Sequence, residues 1–153
     1  MTSPVRIALT VAAGLLLTGC GLMNPAPDIS RTDAAERVAR QAEEAFAQLP
    51  PGATLRTLLD HPESKCDEGD LVFAERQYQI DYPQGWPVAR AVPTLAGYWT
   101  GAGWETLRDE RADPKLPNFA AQDPDGFRIS IEITNRDSGV VDAYLVSSSP
   151  CVA

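Results

Sequence analysis

Apolar positions change their spacing several times along the chain, and each change predicts an element. Residues 7–17 form a continuous, largely apolar run behind Arg6, about half as long as the roughly 20 residues that span a bilayer. Ala35, Val38, Ala42, Ala45, Phe46 and Leu49 recur at three- and four-residue intervals, the stripe of an amphipathic helix. Ser30 or Thr32 can cap its start, Asp33 and Glu36 suit its positive end, and Pro50-Pro51-Gly52 stops it. Asp33/Arg37, Glu36/Arg40 and Arg40/Glu44 sit four apart on its other faces and predict local ion pairs.

Residues 54–59 read equally as a helical turn or an extended segment, and 61–68 as a polar loop carrying Cys66. Val72, Ala74, Tyr78, Ile80 and Tyr82 share one parity, which predicts a strand over 71–82 running into a Pro83-Gln84-Gly85 turn. Helical spacing returns within 87–102 through Val88, Val92, Leu95 and Trp99. Pro93 lies inside that pattern and predicts either a kink or a helix that begins there, because proline lacks an N–H. Gly101 and Gly103 supply the stop.

Strands are expected at 104–109, 118–122, 127–133 and 140–146. The clearest is 127–133, where Phe127, Ile129, Ile131 and Ile133 alternate with Arg128, Ser130 and Glu132. Asp123-Pro124-Asp125-Gly126 and residues 135–139 are turn signals between consecutive strands. The order α-β-α-β-β-β-β predicts an α+β fold: an antiparallel β-sheet of about four to five strands with two helices packed on one face.

The first apolar run closes on Leu17-Thr18-Gly19-Cys20: an aliphatic residue, two small residues and a cysteine. This string resembles the lipobox of bacterial lipoprotein precursors. The resemblance implies a signal peptide over 1–19 and a diacylglyceryl thioether on Cys20, whose two acyl chains hold a protein to a membrane without crossing it. Residues 20–29, with Pro25 and Pro27, then form a lipidated tether, and 30–153 a single α+β domain. The alternative is an ordinary secretory signal cut elsewhere, with Cys20 a bystander.

With Cys20 taken by lipid, Cys66 and Cys151 remain as an even pair that should oxidise to a disulfide outside the cytoplasm. Such a bridge closes a long loop and stabilises by roughly 4.5 kcal/mol in the chain-entropy model. Two free thiols or a redox pair are the other readings, the latter without a CxxC spacing to support it. The formal charge is −8, and loss of Arg6 with the leader makes it one unit more negative. Strong acidity argues against nucleic acid, anionic lipid or anionic wall polymer as partners drawn by bulk charge.

No HExxH, GxSxG, SxxK, Walker-type or GxGxxG string is present. His61 is the single histidine, which excludes a His-based metal cluster, and between Asp60 and Pro62 it reads as solvated. Ser64-Lys65 reads as a chance pair in a polar loop. Asp67, Glu68 and Asp70 read as a solvated acidic loop, and Asp123 and Asp125 as parts of a turn, rather than as calcium sites. No metal or cofactor is expected. Trp86, Tyr98, Trp99 and Trp104 bracket the second helix; Trp99 and Trp104 read as core, and Trp86 and Tyr98 as candidate ligand-contact aromatics.

Leu49-Pro50-Pro51-Gly52-Ala53-Thr54, Cys66, Tyr98-Trp99 with Gly103-Trp104, Asp123-Pro124-Asp125-Gly126-Phe127-Arg128 and Ser148-Ser149-Pro150-Cys151 form a further pattern. Together with the lipobox it resembles small lipoproteins of actinobacteria, loosely of the LppA-like kind, over most of the chain after Cys20. That resemblance implies a location and a disulfide, and no activity. The expected function is a membrane-anchored extracytoplasmic lipoprotein with a non-enzymatic binding or scaffolding domain of the cell envelope. Its expected partners are the membrane, through the N-terminal lipid, and an envelope protein or ligand. A small carboxylate-based hydrolase, or a lipid- or glycan-binding domain, is the alternative.

Overall fold

Ser30 rather than Thr32 starts the first helix: its hydroxyl oxygen accepts from the Asp33 N–H at 3.1 Å and donates to the Asp33 carboxylate at 2.6 Å. The computed structural model describes residues 28–67, 69–135 and 139–153. Cys20, the signal peptide and residues 20–27 of the tether lie outside the described residues. Helix α1 runs Arg31–Phe46 and buries Ala34, Val38, Gln41, Ala42 and Ala45 along one face. Leu49 is buried just beyond it, so the apolar stripe outlasts the helix by one turn.

Six strands form one sheet, where four to five were expected: β1 (Thr54–Lys65), β2 (Val72–Asp81), β3 (Glu105–Asp109), β4 (Phe119–Gln122), β5 (Arg128–Asn135) and β6 (Val141–Ser148). Their order is β1-β2-β6-β5-β4-β3, and every pairing is antiparallel. The additional strand is β1, over the segment read as an ambiguous turn and a polar loop. Its register against β2 shifts between Thr57 and Leu59 and again between His61 and Ser64. Those bulges place Leu58 and Pro62 out of step and erase the alternation by which a strand is recognised. Pro62 is tolerated because β1 is an edge, where a missing N–H costs no ladder bond.

Helix α2 spans Ala91–Gly101 behind a 3-10 turn at Val88–Arg90. Pro93 does not begin this helix. It is the third helical residue, where its missing N–H would have had no intrahelical acceptor.

Both helices cover the same sheet face. Tyr78, Ile80, Phe119, Ala121, Ile129, Ile131, Ile133, Ala143 and Leu145 point into the main core against Ala42, Ala45, Leu49, Val92, Leu95 and Trp99. Each fully buried aliphatic side chain there contributes about 1.5–3 kcal/mol. A second, smaller core joins Ala34, Val38, Val72, Ala74, Phe127 and Val152 under the first half of α1. Cys66 and Cys151 are bonded, with 6.3 Å between their Cα atoms, which ties the C-terminus to the loop after β1. Among the described residues no helix is long and apolar enough to cross a membrane.

Candidate functional site

Residues 82–86 make a tight turn out of β2, with Gly85 at φ +84°, a conformation that favours glycine. The turn folds Trp86 back onto Tyr82, ring centroids 5.1 Å apart and planes 24° from parallel. Trp86 Nε1–H donates to the Pro50 carbonyl at 3.1 Å, and the Tyr82 hydroxyl donates to the Val141 carbonyl. The aromatic pair thus staples the α1–β1 connection to the start of β6. It is a rigid ledge, with Trp86 only 8% exposed.

Beside the ledge an open crevice of about 690 Å³ is bordered by Gln79, Asp81, Tyr82, Trp86, Val88 and Asp142. Polar groups from three strands, β1, β2 and β6, meet beside it. Arg56 donates to both Asp81 carboxylate oxygens, at 2.7 and 3.2 Å, and to Gln79 Oε1 at 2.6 Å. Gln79 Nε2 reaches Asp142 Oδ1 at 3.4 Å. The hydrogen bond from Arg56 holds the Asp81 carboxyl below its ordinary range. Burial, and secondarily the charge of Asp142, pushes the Tyr82 phenol above its ordinary value. At neutral pH Asp81 is therefore ionised and Tyr82 protonated, states suited to accepting and donating hydrogen bonds.

A smaller, mostly apolar crevice of about 250 Å³ adjoins the first and shares Val88 and Val141 with it; Val92, Pro114, Pro117 and Ile133 are among its other walls. The loop over it is held by Asn135 Nδ2 on the Lys115 carbonyl at 2.6 Å and by Asn118 Oδ1 on the Ile133 N–H at 2.9 Å. Leu116 and Val140 are exposed. This end of the domain therefore combines a rigid aromatic ledge, hydrogen-bonding groups and apolar walls, the composition of a binding surface.

Of the two candidate aromatics, Trp86 lines the main crevice and Tyr98 does not. Tyr98 is 36% exposed on α2. Trp99 is buried, stacked between Trp104 and Phe119 at 6.4 and 6.1 Å. His61 stands exposed on β1 opposite Glu75. Ser64 and Lys65 are successive strand residues, so their side chains leave opposite faces and form no dyad. Asp123 and Asp125 both pair with Arg37, and Asp109 pairs with Arg111, whose hydrogen bond lowers its pKa. Among the described residues no three acidic, histidine or cysteine side chains are grouped to hold a metal.

The sequence reading missed Tyr82, Gln79 and Asp142 as members of one surface. Tyr82 stands four residues before Trp86 across a proline–glycine turn, the one local signal for their stacking. A groove of about 520 Å³ lies between α1 and the end of β1. Arg31, Arg40 and Arg76 in its wall are offset by Glu36, Glu43 and Glu63, so it presents no net charge to a ligand. No family model matches the chain, and no curated protein or solved structure is found to match it.

Proposed function

We propose that this chain is a lipid-anchored extracytoplasmic protein whose domain binds or scaffolds another component of the cell envelope through the crevice beside Tyr82 and Trp86. The observation that carries the reading is the location of that crevice at the far end of α1 from the tether. Arg31 opens α1, whereas Trp86 is bonded to Pro50 just past its other end. A helix of 16 residues separates the two by about 24 Å at 1.5 Å per residue. A chain fastened at Cys20 would thus offer the crevice away from the bilayer, where an envelope partner approaches.

Two labelling experiments test the two halves of this reading. Fatty-acid labelling in cells should mark the wild-type protein and be lost in Cys20→Ala; equal labelling of both removes the anchor. A photo-crosslinking residue in place of Gln84, in the crevice wall, should give a discrete adduct in intact cells. The same residue in place of Arg40, in the α1 groove, should not. Equal labelling from both positions, or none from Gln84, removes the crevice as the binding surface.

A further inference from the structure

The two cores are divided by a layer of polar side chains, and the disulfide closes only the smaller one. Along α1 the buried residues run Ala34 and Val38, then Gln41, then Ala42 and Ala45. Along β2, Arg76 separates Ala74 of the small core from Tyr78 of the main one. Along β6, Ser147 lies between Leu145 of the main core and the C-terminal segment that supplies Val152. Ser147 is opposite both Arg76 and Ile129 in the sheet. Gln41 Oε1 and Ser147 Oγ are buried without a hydrogen-bond partner. An unpaired buried polar atom carries a desolvation cost that opening to water relieves, which lowers the cost of parting the two cores along this seam.

Residues 149–153 form a strap across the small core. Val152 is 1% exposed and exchanges two backbone hydrogen bonds with Val72, at 2.9 and 2.7 Å. Ser149 bonds Ala74 twice, through its N–H and its Oγ, both at 2.9 Å. Cys151 lies within this strap, and Cys66 is its covalent attachment to the rest of the domain. Cys151 also lines an open concavity of about 440 Å³ with Phe73, Arg128, Ser148, Ser149 and Pro150. Both cysteines are only partly buried, so the bridge lies at the surface of the domain and not inside its core.

We propose that the Cys66–Cys151 disulfide is a redox latch on the small core. Its reduction releases the C-terminal strap and loosens the first half of α1, while the main core stays folded. The reductant is a dithiol of the kind carried by thiol–disulfide oxidoreductases. Its thiolate attacks Sγ of Cys151 from the concavity, and Cys66 leaves as a thiolate. The second thiol of the reagent then resolves the mixed disulfide. The reagent ends as a disulfide, and its two protons and two electrons end on the two cysteines. The consequence for the envelope rests on the anchor proposed at Cys20: when the eight residues of the first half of α1 become extended, the tether lengthens by about 16 Å.

Hydrogen exchange of the full chain, oxidised and after reduction by dithiothreitol, tests the latch. Amides of Val72 and Val152 should exchange at least about 100-fold faster on reduction, and those of Ile131 and Leu145 change by less than about threefold. The double variant Cys66→Ser/Cys151→Ser should show the reduced pattern without reagent. No change at Val152 overturns the proposal. So does equal acceleration at Ile131 and Leu145, or a double variant with no protected amides, since the bridge would then be a staple for the whole fold.

Discussion

Arg37 on α1 and Asp123 at the β4–β5 turn meet at 2.7 Å, with the Asp123 side chain 2% exposed and that of Arg37 28% exposed. The carboxylate is fully engaged: it also accepts from Gln41 Nε2 and from the N–H groups of Asp125 and Phe127, each at 2.9 Å. The guanidinium lies over the Phe127 ring, 4.2 Å from its centroid, and bonds Asp125 as well. Helix–sheet attachment at this point is therefore polar, although sequence spacing predicted that Arg37 would pair with Asp33. The distant partner wins because its carboxylate is pre-positioned by two backbone donors.

Removing either partner has unequal consequences. Asp123→Ala leaves the buried Phe127 amide and the Gln41 amide without acceptors, and should cost about 3 kcal/mol. Arg37→Ala leaves Asp123 with three donors, and Arg37 is exposed enough for solvent to screen its charge, so about 1–2 kcal/mol is expected. Urea denaturation of both variants measures the order. Equal losses would show that the ion pair, and not the turn-capping, dominates.

Trp86 gives a graded series. Trp86→Phe keeps most of the stack on Tyr82 but orphans the Pro50 carbonyl, and should cost about 1–2 kcal/mol. Trp86→Ala also leaves a cavity beside Leu49 and Val88, and should cost about 3–5 kcal/mol. Thermal denaturation reads both. A Trp86→Phe variant as unstable as Trp86→Ala would place the energy in the indole N–H.

Legibility of the fold followed how regular each element is. β5 is central and buried on one face, so Ile129, Ile131 and Ile133 alternate without interruption and were readable directly. β1 is an exposed edge with two bulges, and no apolar period survives to announce it. The crevice was half legible. Trp86 could be singled out from its Gly-Trp-Pro turn, but Gln79 and Asp142 come together only through the β2–β6 register. That pairing joins segments 63 residues apart and has no local signature.

Pro93→Ala tests the assignment of the second helix. At its third position the proline replaces an N–H that has no intrahelical acceptor, so the substitution should change stability by less than about 1 kcal/mol. An interior, kinking proline would behave differently, and replacing it would stabilise by about 3 kcal/mol. The denaturation midpoint distinguishes the two.

Gly126 and Gly139 both hold positive φ, at +89° and +78°, but meet different surroundings. A Cβ at Gly126 would sit 3.4 Å from Pro150 Cβ in the C-terminal strap, whereas at Gly139 it meets nothing within 4 Å. Gly139→Ala should therefore cost only the backbone strain, about 1–2 kcal/mol. Gly126→Ala should cost more and should loosen the strap. Exchange at the Val152 amide reports the second effect, and an unchanged rate there would remove the coupling.

Tyr82 sets an alkaline limit. Its phenol is raised above the ordinary value of 10.0 first by burial and then by Asp142, so the folded state holds this proton more tightly than the unfolded chain does. Stability from the group is complete below the unfolded pKa and falls as pH rises from about 10 through the folded value. Tyr82→Phe abolishes that dependence and, at neutral pH, costs about 1 kcal/mol for the bond to the Val141 carbonyl. Other tyrosines titrate in the same range, so the informative quantity is the difference between wild type and Tyr82→Phe. That difference in urea midpoint should shrink between pH 9 and pH 11 as the wild type loses stability faster. A constant difference across that interval would mean that Tyr82 titrates alike in the folded and unfolded states, and that its partly buried place beside Trp86 is more open than its contacts indicate.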